Sequence, residues 1–188
     1  MSPSLGRRDP GGILIGSRST AFGRDVDREY AAIVLEKLCA IEDIRHLKSR
    51  YFQAVDEKDW AAIEDMFTAD AQVDFGGEGQ YHIGHHGVTA ADIEPADGVV
   101  TGGAETARVI AGAVSQVISV HHGHDPQIEL TGPDEAVGRW SMYDCLEYAD
   151  EVMHGYGHYH ERYTRVDNQW KFAALTLTRL RVNWSPKV

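Results

Sequence analysis

Residues 118–130 read ISVHHGHDPQIEL. The run has the look of an interior β-strand, yet it carries three histidines. Successive side chains on a strand point to opposite faces. Ser119, His121 and Gly123 therefore share one face, and Val120, His122 and His124 share the other. Only one of these faces looks into a core, and an interior polar residue there must be satisfied. His121 is the candidate for that inward position.

Outward from this strand the pattern divides the chain. On its C-terminal side lie three more strand-like runs, EAVGRWSMYDCLEYAD, YGHYHERYTRVDN and QWKFAALTLTRLRVNW. The turns TGPDE and VDNQ punctuate them. In the first run Trp140, Met142 and Asp144 fall on one face; in the last, Leu175, Leu177, Arg179 and Arg181 do. A charge on an otherwise apolar face is the informative event. Leu146, Tyr148, Tyr159 and Tyr163 are read as the exposed back of the sheet. That back needs a cover, so a homo-oligomer is expected.

On the N-terminal side the period is helical. GAETARVIAGAVSQ sets Val109, Ile110, Ala113 and Val114 inward. Earlier, Leu35, Leu38, Ile41, Ile44, Leu47, Tyr51 and Val55 recur every three or four residues, with AIEDIRHLKSR supplying solvated charges. Tyr51 and Asp56 are odd polar members of this helix end, SRYFQAVDEKDW. Trp60, Ile63, Met66 and Phe67 mark a second, short helix, and DAQVDFGG alternates as a strand. Residues 76–102 form a long Gly-rich, acidic stretch, expected to be a lid or crossing loop over the pocket.

Helices first and strands last predict an α+β fold. A curved antiparallel or mixed sheet is wrapped by N-terminal helices into a cone with an interior pocket. Residues 1–24, rich in Gly, Ser, Pro and Arg, read as a flexible N-terminal arm, and residues 25–188 as the folded domain.

Composition narrows the function. Of 188 residues 43% are hydrophobic and 25% charged, and the net charge is −11. The acidic balance argues against nucleic acid or an anionic membrane surface as partner. No apolar run approaches the ~20 residues of a membrane span, and GGILIG is too short for a signal core. Cys39 and Cys145 form no CxxC, which fits a reduced, cytoplasmic setting. A metal site is not expected. His154 and His158 have helical zinc spacing, but Gly155 and Gly157 beside them point to a strand or loop, where that spacing does not converge.

Four stretches, YFQAVD, HHGHDP, GRWSMYD and WKFAALTLTR, resemble the SnoaL-like branch of the nuclear-transport-factor-2-like cone fold. The resemblance runs from about Leu35 to Trp184. It is closest to the bile acid 7α-dehydratase group, and more distant to scytalone dehydratase and hexachlorocyclohexane dehydrochlorinase. It implies that Tyr51, Asp56, His121, Asp144 and Arg179 fall on active-site positions. It also implies a trimer first and a dimer second. The arm and the 76–102 segment depart from the family pattern.

The chemistry is consistent with that resemblance. Elimination across a carbon–carbon bond needs a base for the C–H proton, and an imidazole titrates in the useful range. A neighbouring carboxylate, Asp56, would fix the His121 tautomer. Tyr51 could hydrogen-bond a developing enolate or the leaving hydroxyl. Arg179 could hold Asp144 or a substrate oxyanion. No cofactor is needed. Trp60, Phe67, Phe75, Val114, Trp140 and Met142 are expected to line the pocket and to suit a hydrophobic ring-bearing substrate such as a steroid, terpenoid or polyketide. An isomerase or cyclase, or a non-catalytic binding domain, remains an alternative on the same scaffold. Each residue also has a structural reading: a core tyrosine, a helix-end charge, a satisfied strand histidine, a buried ion pair.

Overall fold

The computed structural model describes residues 21–92 and 98–188. The chain divides into two compact units, ending and beginning at Glu36 and Lys37. In the first, what is described is the start of helix α1 (Ala21–Glu57), where Tyr30, Ile33 and Leu35 are exposed. The reading of residues 1–24 as an arm lies outside the described residues as far as residue 20; α1 begins at Ala21.

The second unit is the cone. The rest of α1 is followed by α2 (Trp60–Met66), β1 (Phe67–Asp74), β2 (Val100–Thr101), α3 (Gly103–Val114), β3 (Ile118–Leu130), β4 (Glu135–Glu147), β5 (Glu151–Val166) and β6 (Gln169–Pro186). The six strands form one sheet in the order β2-β1-β6-β5-β4-β3. All neighbours are antiparallel except β1 and β6, which run parallel. This is the α+β architecture with a mixed, open sheet that the element order predicts. Among the described residues no helix is long and apolar enough to cross a membrane.

The helical stripe of α1 holds from Ala40, Ile44 and Leu47 to Tyr51 and Val55, all buried, whereas Leu38 stays exposed. Lys48 departs from its expected place among solvated charges. It is fully buried, and its Nζ lies 2.5 Å from Glu161 Oε1 and 3.4 Å from the centre of the Tyr159 ring. Burial lowers its pKa to about 8, with the opposing pull of Glu161 offsetting only part of the effect. Tyr163 donates to the other Glu161 oxygen and accepts from Trp140 Nε1 at 2.9 Å. A solvated lysine was the natural reading because the pairing glutamate is on a strand 113 positions away.

Two strand readings need correction. Leu146, Tyr159 and Tyr163 are not on the sheet's back; all three are buried on its inner face. Leu146 alternates in phase with Met142 and Asp144, and Tyr159 pairs with Leu177 across β5 and β6. Tyr148 is half-buried against the same core. These four residues therefore give no reason for assembly. Arg181 does not share the face of Arg179. The β5–β6 register slips so that Tyr156 faces Arg181 while Gly157 faces Arg179, leaving Leu180 as an extra, exposed residue. Such a bulge turns the following side chains over, and Arg181 ends outside, bonded to Asn183.

Candidate active site

The last turn of α1 sets Asp56 beside the start of β3. Lys58 then takes a left-handed backbone (φ 66°), which ends the helix, and Asp59 caps α2 by accepting from the Ala62 N–H at 3.0 Å. Asp56 is thereby fixed on three donors. The His121 backbone N–H donates to Oδ2 at 2.9 Å, and the Ser119 hydroxyl donates to Oδ1 at 3.0 Å. His121 Nδ1 lies 2.6 Å from Oδ1. An ionised carboxylate only accepts, so Nδ1 carries a proton, and Nε2 is the ring nitrogen left without a partner among the described residues. Lys58 Nζ donates to Ser119 Oγ at 2.7 Å, extending the chain by one link.

Burial pushes the Asp56 carboxyl up, but the hydrogen bonds from the His121 ring and backbone and from Ser119 outweigh it, and its pKa falls below the ordinary value. The His121 ring stacks on Phe52, nearly parallel at 6.3 Å between centres. Gly123, two residues on, leaves room for that phenyl, because a Cβ there would sit 2.7 Å from it.

His121 borders a cavity of about 590 Å³. Tyr51, Phe75, Val114, Asp144 and Arg179 border it too. Asp56 does not. On a regular helix Tyr51 and Asp56 are about 140° apart. Asp56, inside α1, meets His121 without bordering the cavity, while Tyr51 borders it. Tyr51 packs edge-on against Phe67 and Phe172. Its hydroxyl has no hydrogen-bond partner among the described residues. Burial, with Glu161 and Asp56 nearby, raises its pKa well above that of an ordinary phenol, so it stays protonated at neutral pH and can donate a hydrogen bond.

On another wall Arg179 meets Asp144 through Nη1 to Oδ1 at 2.9 Å and Nη2 to Oδ2 at 2.8 Å. Glu78 takes the other edge, accepting from Nε at 2.8 Å and from Nη2 at 2.6 Å. Burial alone would lower the guanidinium pKa; the bonds to Glu78 and Asp144 raise it instead. Gly155 underlies the pair, since a Cβ there would come within 2.1 Å of both Arg179 Nη1 and Asp144 Oδ1.

Trp60, Phe67, Trp140 and Met142 do not border the cavity. Phe67 and Trp140 are in the closed core, the first against Phe172 and the second bonded to Tyr163. Met142 offers its sulfur to Arg179 Nη1 at 3.6 Å. Trp60 packs against the core at the start of α2. Their inward phase was right, but a strand's inner face is longer than the open part of the cone.

The 76–102 segment supplies several wall residues. Glu78, His82, His86 and Val88 border the cavity. His86 stacks on Tyr148 at 4.0 Å and His85 on Trp184 at 4.2 Å, while His85 Nδ1 contacts Glu151 at 2.8 Å. His82 and His86 lie 3.0 Å apart through Nδ1 and Nε2. Burial pushes the Tyr148 phenol up to about 12. Ser119 and Glu78 were not singled out from the sequence. Ser119 was legible, since it shares His121's strand face; Glu78 was not, because nothing local aims a loop glutamate at β6. His154 and His158 are on strand β5, where residues four apart are too distant to share an ion. Among the described residues no cluster of three or more His, Cys, Asp or Glu side chains has metal-site geometry.

Residues 36–176 match the SnoaL-like domain. The chain belongs to the SnoaL-like family. Its fold is also that of solved relatives. A crystal structure described as a putative scytalone dehydratase, from Novosphingobium aromaticivorans, is 18% identical over 80% of this chain and 90% of that one, with a TM-score of 0.65. A hexachlorocyclohexane dehydrochlorinase from Novosphingobium barchaimii is 18% identical over 81% and 93%, with a TM-score of 0.63. A Mycobacterium tuberculosis protein of unknown function is 24% identical over 79% and 76%, also at 0.63. At such identities the likeness establishes the fold; the SnoaL-like chain's chemistry has to be argued from its own residues.

Proposed function

We propose that this SnoaL-like protein is a cofactor-independent lyase of the dehydratase type. Its substrate is a hydrophobic, ring-bearing hydroxy compound of the steroid, terpenoid or polyketide kind. The observation that carries the reading is the 2.6 Å contact between His121 Nδ1 and Asp56, which leaves Nε2 as the basic nitrogen of a residue bordering the cavity.

In the reaction Nε2 removes a proton from a carbon next to a carbonyl, and the electron pair moves into the C–C–O system as an enolate. Asp56 stabilises the imidazolium that forms. The Tyr51 phenol donates a hydrogen bond to the enolate oxygen, where charge develops. The enolate then expels the hydroxyl on the β carbon, which leaves as water with the proton returned by the imidazolium. Dehydratase and dehydrochlorinase names among the solved relatives agree with elimination. If the same base returned the proton to another carbon, the outcome would be isomerisation.

A panel of hydroxyketones and hydroxysteroids incubated with the protein, with products read by mass spectrometry, tests the proposal. Loss of one water from at least one compound is expected. A product of unchanged mass but shifted double bond would make the protein an isomerase. No conversion of any panel member, alongside binding of several, would make it a carrier.

A further inference from the structure

Arg179 is the one Lys or Arg among the described residues bordering the cavity. A guanidinium has five N–H donors. Here Nε goes to Glu78, Nη1 to Asp144 and to the Met142 sulfur, and Nη2 to Glu78 and to Asp144. Every donor has an acceptor within the protein. The group is also almost fully enclosed, with its side chain 4% exposed. It has nothing left with which to bind a substrate carboxylate, phosphate or oxyanion.

The cavity lining also includes Asp74, Glu78, Asp92 and Asp144. Asp74 accepts from the Gly76 N–H at 2.8 Å, and Asp92 from the Thr89 N–H and hydroxyl at 2.9 and 2.6 Å. These are neutral donors, and neither carboxylate has an ion-pair partner among the described residues. Four carboxylates and one committed guanidinium border the cavity, so with His82, His86 and His121 neutral its lining carries a net negative charge.

We infer that the cavity selects against anions: the part of the ligand that enters it is uncharged, a free alcohol or ketone in place of a carboxylate, sulfate or phosphate ester. This refines the substrate class of the lyase reading and rests on that reading for the identity of the site. Of the two roles open to Arg179 from sequence, holding Asp144 or holding a substrate oxyanion, it favours the first. Glu78, on the 76–102 segment, is then a specificity residue: it caps the guanidinium edge that would otherwise greet an anion.

Two fluorescent probes with one ring system test this: uncharged N-phenyl-1-naphthylamine and its 8-sulfonate, 1-anilinonaphthalene-8-sulfonate. Both are titrated into wild type, Glu78→Gln and Asp92→Asn at low salt. In wild type the sulfonate is expected to bind at least ten-fold more weakly. Because the sulfonate is also the more water-soluble probe, the variants decide. The ratio of the two Kd values should shrink at least three-fold in Glu78→Gln, and in the same direction in Asp92→Asn, an exposed position that keeps the fold if Glu78→Gln does not. Equal affinities in wild type, or a ratio unmoved in the folded variants, would overturn the inference. Turnover plays no part in this readout, so a failed dehydratase assay leaves it standing, and a failed probe ratio leaves the base unaffected.

Discussion

Asp144 and Arg179 meet edge to edge, through two hydrogen bonds of 2.9 and 2.8 Å, directly above the bare backbone of Gly155. The glycine is a steric requirement of the pair. Gly155→Ala drives a methyl into both partners, which adds overpacking to the opening of a buried charge pair. The expected loss is about 3 kcal/mol in urea denaturation. A loss under about 1 kcal/mol would mean that the pair is not seated as described.

Lys48 and Glu161 form a second enclosed pair, with no side-chain exposure on either partner. Removing one charge leaves the other buried and alone. Lys48→Met should cost about 3–5 kcal/mol. The double change Lys48→Met, Glu161→Gln should restore most of that, since both charges are then gone. Equal destabilisation by the single and double variants would show that the lysine's packing, and not its charge, is what matters.

Asp56 gives the chain an acid-sensitive contribution with a definite sign. Its folded pKa lies below that of the unfolded chain. The stability it supplies is therefore complete above the unfolded carboxylate range, near ~3.9. It is lost as pH falls through the lower, folded value. Thermal melts of wild type and Asp56→Asn should differ most above pH ~5 and converge toward pH ~2. A gap that widens on acidification would reverse the assignment.

Ser119 donates to Asp56 Oδ1, the same oxygen that the His121 ring contacts, and accepts from Lys58. Ser119→Ala should lower kcat by roughly ten-fold with little change in KM, because orientation and not binding is lost. A change confined to KM would place Ser119 in substrate contact.

Much of this was written in the sequence, and the failures have physical causes. The period of two in ISVHHGHDPQIEL put His121 and Ser119 on one face and His122 and His124 on the other, and the faces are divided in that way. The period of three and four placed Tyr51 and Val55 inward. Alternation alone could not see the extra residue at Leu180, which turned Arg181 outward, because a bulge is fixed by the pairing strand. It also could not tell which interior residues reach open space, so Trp140 and Met142 were assigned to a cavity wall when they belong to the packed part of the cone. Lys48 and Glu78 were invisible for a third reason: each is explained by a partner more than a hundred positions away. Local sequence carries the face of a residue, but not its remote counter-charge.

Tyr51→Phe probes the phenol separately. Its ring packing is kept, so the fold should be unchanged, while the rate falls by roughly ten- to a hundred-fold if the hydroxyl stabilises the enolate. Full activity in Tyr51→Phe would reduce the residue to a part of the core.

The most direct measurement of the central claim is single-turnover conversion by His121→Gln on the compound that wild type dehydrates, with Asp56→Asn beside it. Loss of the imidazole removes the base. The account predicts a fall of at least ~10³-fold in His121→Gln, and a smaller fall in Asp56→Asn, with circular dichroism and neutral-probe binding retained in both. Wild-type turnover in a folded His121→Gln protein would contradict it.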